Sequence, residues 1–122
     1  MKSEKILILD DDNDILEIIA LLLTERGYEI KVSNHGENIF EDIKDFQPDL
    51  ILMDIMLAGM DGRKICRDIK NEPSTHSLPV ILISGTHDIE GMSELSGAPD
   101  DFLAKPFDMD QLFLKIEKQL AE

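Results

Sequence analysis

A doubly wound α/β fold, with five parallel strands in the order 2-1-3-4-5 and five helices, is what this sequence predicts, on three observations. Short apolar runs alternate with segments of helical spacing along the whole chain. Helices between successive strands force right-handed crossovers, which make the strands parallel and cover both faces of the sheet. The runs are accordingly continuous rather than alternating, as strands buried on both faces require. Third, four of them end in a reactive polar residue: residues 6–9 lead into Asp10 and Asp11, 50–53 into Asp54, 80–83 into Ser84, and 102–104 into Lys105. The carboxyl ends of strands in an open sheet form the edge where ligands bind.

In chain order, Ile15, Ile18, Ile19, Leu22 and Leu23 recur at steps of three and four and predict the first helix, with Gly27 as a left-handed stop. Residues 28–33 alternate Ile30 and Val32 with Glu29 and Lys31, the pattern of a less buried strand, and are placed at the sheet edge. Ile39, Phe40, Ile43 and Phe46 predict a second helix ended by Pro48. Ile65 and Ile69, after Asp61, predict a third. Residues 89–96 offer Ile89, Met92 and Leu95 for packing but also Gly91, Ser93 and Ser96, so the fourth helix is expected to be short or frayed. Leu112, Ile116 and Leu120 mark the last, with Asp108 and Gln111 placed for a capping box.

With 122 residues the chain is expected to be one domain, 1–122, with no room for an output domain. Its 12 basic and 26 acidic side chains leave a net charge of −14, which repels a phosphate backbone and argues against direct nucleic-acid binding. The longest apolar stretch, residues 18–23, is far short of the roughly 20 residues of a membrane span, and no export signal is visible. One cysteine, Cys66, allows no internal disulfide and fits a cytoplasmic location; its helical neighbours Ile65 and Ile69 make it a core residue rather than a nucleophile.

The chemistry follows from what the strand ends bring together. Two unit charges about 4 Å apart repel by about 4 kcal/mol at an effective dielectric of about 20, so Asp10, Asp11 and Asp54 need a cation to share a cleft. They offer only hard oxygen ligands, with no Cys or His, which selects Mg2+ or a similar ion. Carboxylates, a hard divalent ion, Lys105 and the Ser84 hydroxyl are the parts of a phosphoryl-transfer site. Asp54, alone at the end of a central strand, is the expected acceptor and would form an acyl phosphate.

The segments Ile6-Leu7-Ile8-Leu9-Asp10-Asp11-Asp12, Pro48-Asp49-Leu50-Ile51-Leu52-Met53-Asp54, Met60-Asp61-Gly62, Ile81-Leu82-Ile83-Ser84-Gly85 and Lys105-Pro106-Phe107, in this order and spacing, resemble the receiver domain of two-component response regulators, CheY-like and flavodoxin-like in fold. The resemblance spans essentially the whole chain. It implies Asp54 as phosphoacceptor, Asp10 and Asp11 as the acidic pair serving Mg2+, and the Met56 backbone carbonyl as a further ligand. It also implies Ser84 as switch hydroxyl, Lys105 as phosphate-binding lysine and Phe102 as switch aromatic. The partners it implies are a sensor histidine kinase or histidine phosphotransfer protein and a downstream effector protein. The chain itself is expected to be a monomer or a weak phosphorylation-linked dimer, and no enzyme beyond its own phosphorylation and dephosphorylation.

Three departures stand out: Ala58 where Pro is common, Gly85 where Ala usually follows the hydroxyl, and an added Pro99 before Asp100 and Asp101. Asp12, Asp14 and Asp61 read as helix caps or first-turn acids. A calcium loop over residues 10–21 fails, since Ile15 replaces its glycine and Leu21 its glutamate. His35, His76 and His87 have no ligand spacing and read as surface residues. A flavin carrier of the same strand order is disfavoured by the acidic first loop, and an aspartyl phosphatase by Met56 where a second carboxylate is wanted. A degenerate receiver that binds partners without phosphorylation is the remaining alternative.

Overall fold

The computed structural model describes residues 3–34, 36–57, 60–84, 99–105 and 107–121. Strands β1 (Lys5–Leu9), β2 (Glu29–Ser33), β3 (Leu50–Asp54), β6 (Val80–Ser84) and β7 (Asp101–Ala104) form a parallel sheet in the order β2-β1-β3-β6-β7. That is the predicted 2-1-3-4-5 order of the five long strands. All five residues of both β3 and β6 are buried, because the sheet is covered on both sides and only apolar runs tolerate that.

Alternation along the strands sorts their side chains into two cores. Leu7, Leu9, Ile51, Met53, Val80 and Leu82 pack with Ile39 of helix α2 (Ile39–Phe46) and with Ile65, Cys66 and Ile69 of α3 (Gly62–Asn71). Ile6, Ile8, Leu50, Leu52, Ile81, Ile83 and Leu103 pack with Leu16, Ile19 and Leu23 of α1 (Asn13–Glu25) and with Leu112 and Ile116 of α4 (Met109–Leu120). Each fully buried Leu or Ile is worth about 1.5–3 kcal/mol, so the strands supply most of the driving force and the helices seal them.

The helix ends follow their sequence signals. Asp12 caps α1, its carboxylate accepting from Asp14 N and Ile15 N, and Gly27 at φ 97° ends the turn that follows. Asp61 caps α3 by accepting from Arg63 N. Asp108 and Gln111 form the expected capping box on α4. Helix α2 ends before Pro48, through the left-handed Gln47 at φ 53°, whose N–H donates to the Ile43 carbonyl at 2.8 Å.

The expected edge strand is confirmed, and one element was not foreseen. Ile30 of the edge strand β2 packs on the α1 and α4 core, but Val32 is 47% exposed, since a strand paired on one side only is incompletely covered. Between β3 and α3 the chain forms a small antiparallel hairpin, β4 (Met56–Leu57) with β5 (Met60–Asp61), pairing Met56 with Asp61 and Leu57 with Met60. Two-residue strands carry no readable periodicity. The predicted fourth helix at residues 89–96 lies outside the described residues, as do Ala58, Gly85, His35 and His87.

Candidate functional site

The register of the sheet determines which residues meet at its carboxyl edge. Leu9 pairs with Met53, Asp54 with Ile83, and Ser84 with Ala104, so Asp10, Asp54, Ser84 and Lys105 end four adjacent strands at nearly one level. Asp10 follows β1, held by its N–H to the Ser33 carbonyl at 3.2 Å, and is only 1% exposed. Its Oδ1 accepts from Asp12 N at 2.9 Å. Its Oδ2 is buried without a hydrogen-bond partner.

Asp54, also buried, is gripped on both oxygens. Oδ1 accepts from Met56 N at 3.0 Å, and Oδ2 accepts from the Lys105 ammonium at 2.7 Å. Lys105 is carried in by its own backbone, whose N–H donates to the Ser84 carbonyl at 2.7 Å, and its Nζ lies 3.7 Å from the orphaned Asp10 Oδ2. Asp11 is exposed at the mouth, and one oxygen from each of Asp10, Asp11 and Asp54 lies within 4.8 Å of the others.

Three carboxylates face one ammonium. Burial, aided by the neighbouring Asp54 charge and opposed by the Asp12 N–H and Lys105, pushes the Asp10 carboxyl up to about 6. For Lys105, burial works against the charge, but the Asp54, Asp10 and Asp11 carboxylates more than offset it and hold the ammonium above its usual range. An orphaned buried oxygen, an excess of negative charge and an all-oxygen donor set together fit a hard divalent cation such as Mg2+. No ordinary core would bury Asp10 uncompensated.

Of the other sequence candidates, Met56 is in the hairpin, 68% exposed, with its N–H donating to the Asp54 carboxylate. Ser84 is buried at the end of β6. Phe102 is half-buried and packs on the α2 and α3 core; the two-residue period sets it on the same face as Ser84, since Leu82 pairs with Phe102 and Ser84 with Ala104. Cys66 is fully buried and its thiol is pushed up to about 12, chiefly by that burial, so it is no nucleophile at neutral pH. His76 is exposed.

Beside the site lies an apolar groove of about 510 Å3, lined by Ile15, Ile18 and Ile19 of α1 and by Lys105, Phe107 and Met109. Ile19 is buried in the core and Ile15 packs against it, whereas Ile18 is 57% exposed. Gly62, present in the sequence as part of Met60-Asp61-Gly62, also has a place in the site that its residue type alone did not disclose. Its N–H donates to the Ile55 carbonyl at 2.7 Å, directly behind Asp54.

The family model for the response regulator receiver domain matches residues 6–117. The nisin biosynthesis regulatory protein NisR of Lactococcus lactis is 39% identical over 118 residues, covering 95% of this chain but 50% of that protein, so the chain spans about half the length of this curated relative. Among solved structures, the response regulator TrrA of Thermotoga maritima, in complex with Mg2+-BeF, shares 30% identity at a TM-score of 0.83 over 96% of this chain and 99% of that one. The BeF3-activated N-terminal receiver domain of Klebsiella pneumoniae RstA shares 28% identity at a TM-score of 0.85 over 98% of this chain and 100% of its own. With the acidic cleft and its lysine in place on a sheet of this order, the chain belongs to the response regulator receiver domains, the signalling modules of two-component systems.

Proposed function

We propose that this chain accepts a phosphoryl group on Asp54, in a Mg2+-dependent transfer from a histidine kinase or histidine phosphotransfer protein, and thereby switches its binding to an effector protein. The observation that carries this reading is that one ammonium faces two buried carboxylates and makes a hydrogen bond to only one of them. Lys105 sits at 2.7 Å on Asp54 while Asp10 Oδ2, 3.7 Å from the same ammonium, has no hydrogen-bond partner. One ammonium does not offset three clustered carboxylates, and the surplus negative charge is left for a cation.

Mg2+, held by the carboxylates of Asp10, Asp11 and Asp54 and the Met56 carbonyl, would neutralise the oxygens of the incoming phosphoryl group. The rest falls to the chain. An oxygen of Asp54 bonds to phosphorus as the P–N bond of the donor phosphohistidine breaks, and the imidazole departs with the electron pair and takes a proton from solvent. Lys105 passes its hydrogen bond from Asp54 Oδ2 to a phosphoryl oxygen, where a charge-assisted bond is strongest. The Ser84 hydroxyl donates to another, and Phe102, on the same face, follows it inward.

The donor must approach the same edge, and the groove of Ile15, Ile18, Phe107 and Met109 runs up to Lys105. Its apolar lining, bordered on α1 by exposed Asp14 and Glu17, suits a helix that presents the phosphohistidine with a basic rim around an apolar stripe. This occupant is favoured by continuity with the site and by the charge of −14.

The test is labelling by a small acyl phosphate in MgCl2, followed by intact-mass measurement. One added phosphoryl group is expected, lost in Asp54→Ala and when EDTA removes the cation. Equal labelling of Asp54→Ala moves the acceptor elsewhere; no labelling of the wild type by either an acyl phosphate or a phosphorylated histidine kinase leaves the phosphorylation-independent alternative.

A further inference from the structure

The chain leaves the acceptor, makes a hairpin and returns to it. Asp54 Oδ1 holds Met56 N; Met56 pairs with Asp61; and Gly62, next in sequence, donates from its N–H to the Ile55 carbonyl at 2.7 Å. Helix α3 begins at Gly62, so its first turn sits against the peptide that joins Asp54 to Ile55. There is no space between them. A Cβ on Gly62 would overlap the Asp54 carbonyl oxygen and come within 2.9 Å of the Ile55 Cα and 3.1 Å of the Asp54 carbonyl carbon. All three are backbone atoms, which cannot swing aside as a side-chain tip can, and ordinary carbon contacts lie at about 3.5–4.0 Å.

We infer that Gly62 is a positioning residue for the Mg2+ and phosphoryl site: the missing side chain lets α3 buttress the Asp54–Ile55 peptide and so fixes both the acceptor carboxylate and the Met56 carbonyl. The inference rests on the proposed metal and phosphoryl chemistry and adds to it a residue that touches neither ion nor phosphate. A methyl group at Gly62 must either lift α3 or push the Asp54 peptide toward the cleft. Either movement separates ligands that a small ion holds to near-ideal distances. Outer residues that orient metal ligands typically carry about 10–100-fold of affinity.

The experiment sets Gly62→Ala beside Gly27→Ala. Gly27, at φ 97° with nothing within 4 Å of a built Cβ, is strained by substitution without touching the site. Thermal midpoints are measured with and without MgCl2, and the Mg2+ dissociation constant is taken from amide shifts in an NMR titration. Both variants are expected to melt earlier without metal. Only Gly62→Ala is expected to bind Mg2+ at least about tenfold more weakly and to lose most of the metal-induced rise in midpoint. A dissociation constant within twofold of wild type overturns the inference, leaving Gly62 a purely structural glycine. If Gly62→Ala does not fold, hydrogen exchange on the wild type decides: Mg2+ is expected to slow exchange of the Gly62 amide several-fold more than that of Gly27, and equal effects overturn it. A wild type whose midpoint ignores MgCl2 overturns the metal reading and the inference together. A wild type that binds Mg2+ but takes no phosphoryl group, with Gly62→Ala still weak, overturns phosphorylation alone and upholds the buttress.

Discussion

Asp10 shows how one side chain links stability to function. Its carboxyl is raised in the fold to about 6, mainly by burial, from an ordinary value of 3.8. Between these values the folded chain binds the proton more tightly than the unfolded one, so stability of the metal-free protein falls as pH rises from about 4 through 6. Above that range the cost is fully present. Asp10→Asn is therefore expected to raise the metal-free melting midpoint at pH 7 by a few degrees, to leave it nearly unchanged at pH 4, and to abolish stabilisation by MgCl2. Calorimetry across pH with EDTA or MgCl2 checks each part, and a variant no more stable than wild type at pH 7 contradicts the burial argument. The residue types of this site were legible in the sequence, because Asp, Ser and Lys after apolar runs have few structural uses. What could not be read was the orphaned state of Asp10 Oδ2, a matter of angstroms, or that Asp54 is bonded on both oxygens.

At the scale of elements, stop signals and apolar runs carried the sequence reading, and the places where it fell short share a cause. The caps Asp12, Asp61 and Asp108 act locally and need only neighbouring amides, so they were readable. The β4–β5 hairpin and the approach of Gly62 to Asp54 depend on what lies across the turn. Gln47 ends α2 at φ 53° where glycine would be the expected signal. Capping can be tested directly on α4, which carries Leu112 and Ile116 into the core and is capped at its N-terminus by Asp108 and Gln111. Asp108→Ala is expected to cost about 1 kcal/mol, measured by urea denaturation at constant slope. Because the Asp108 side chain is exposed and accepts from Gln111 N rather than from a group bonded to Asp54, labelling by an acyl phosphate is expected to continue at the wild-type rate.

Over the whole molecule, the helices divide the labour. Helices α2 and α3 close one face of the sheet and α1 and α4 the other, yet α1 leaves Ile18 in solvent beside the site. Strand order was legible because crossover chirality leaves few alternatives, whereas an outward apolar stripe reads like an inward one until its neighbours are known. If that stripe receives the phosphodonor, Ile18→Asp is expected to slow transfer from a phosphorylated histidine protein about tenfold or more while a small acyl phosphate still labels Asp54 normally. Equal slowing with both donors would point to damage within the site. The last long strand, β7, carries a consequence for biosynthesis. Lys105 follows it, so a ribosome has delivered both Asp10 and Asp54 long before the ammonium that balances them emerges. If Asp54 accepts a phosphoryl group as proposed, competence for that transfer waits until β7 docks and delivers Lys105.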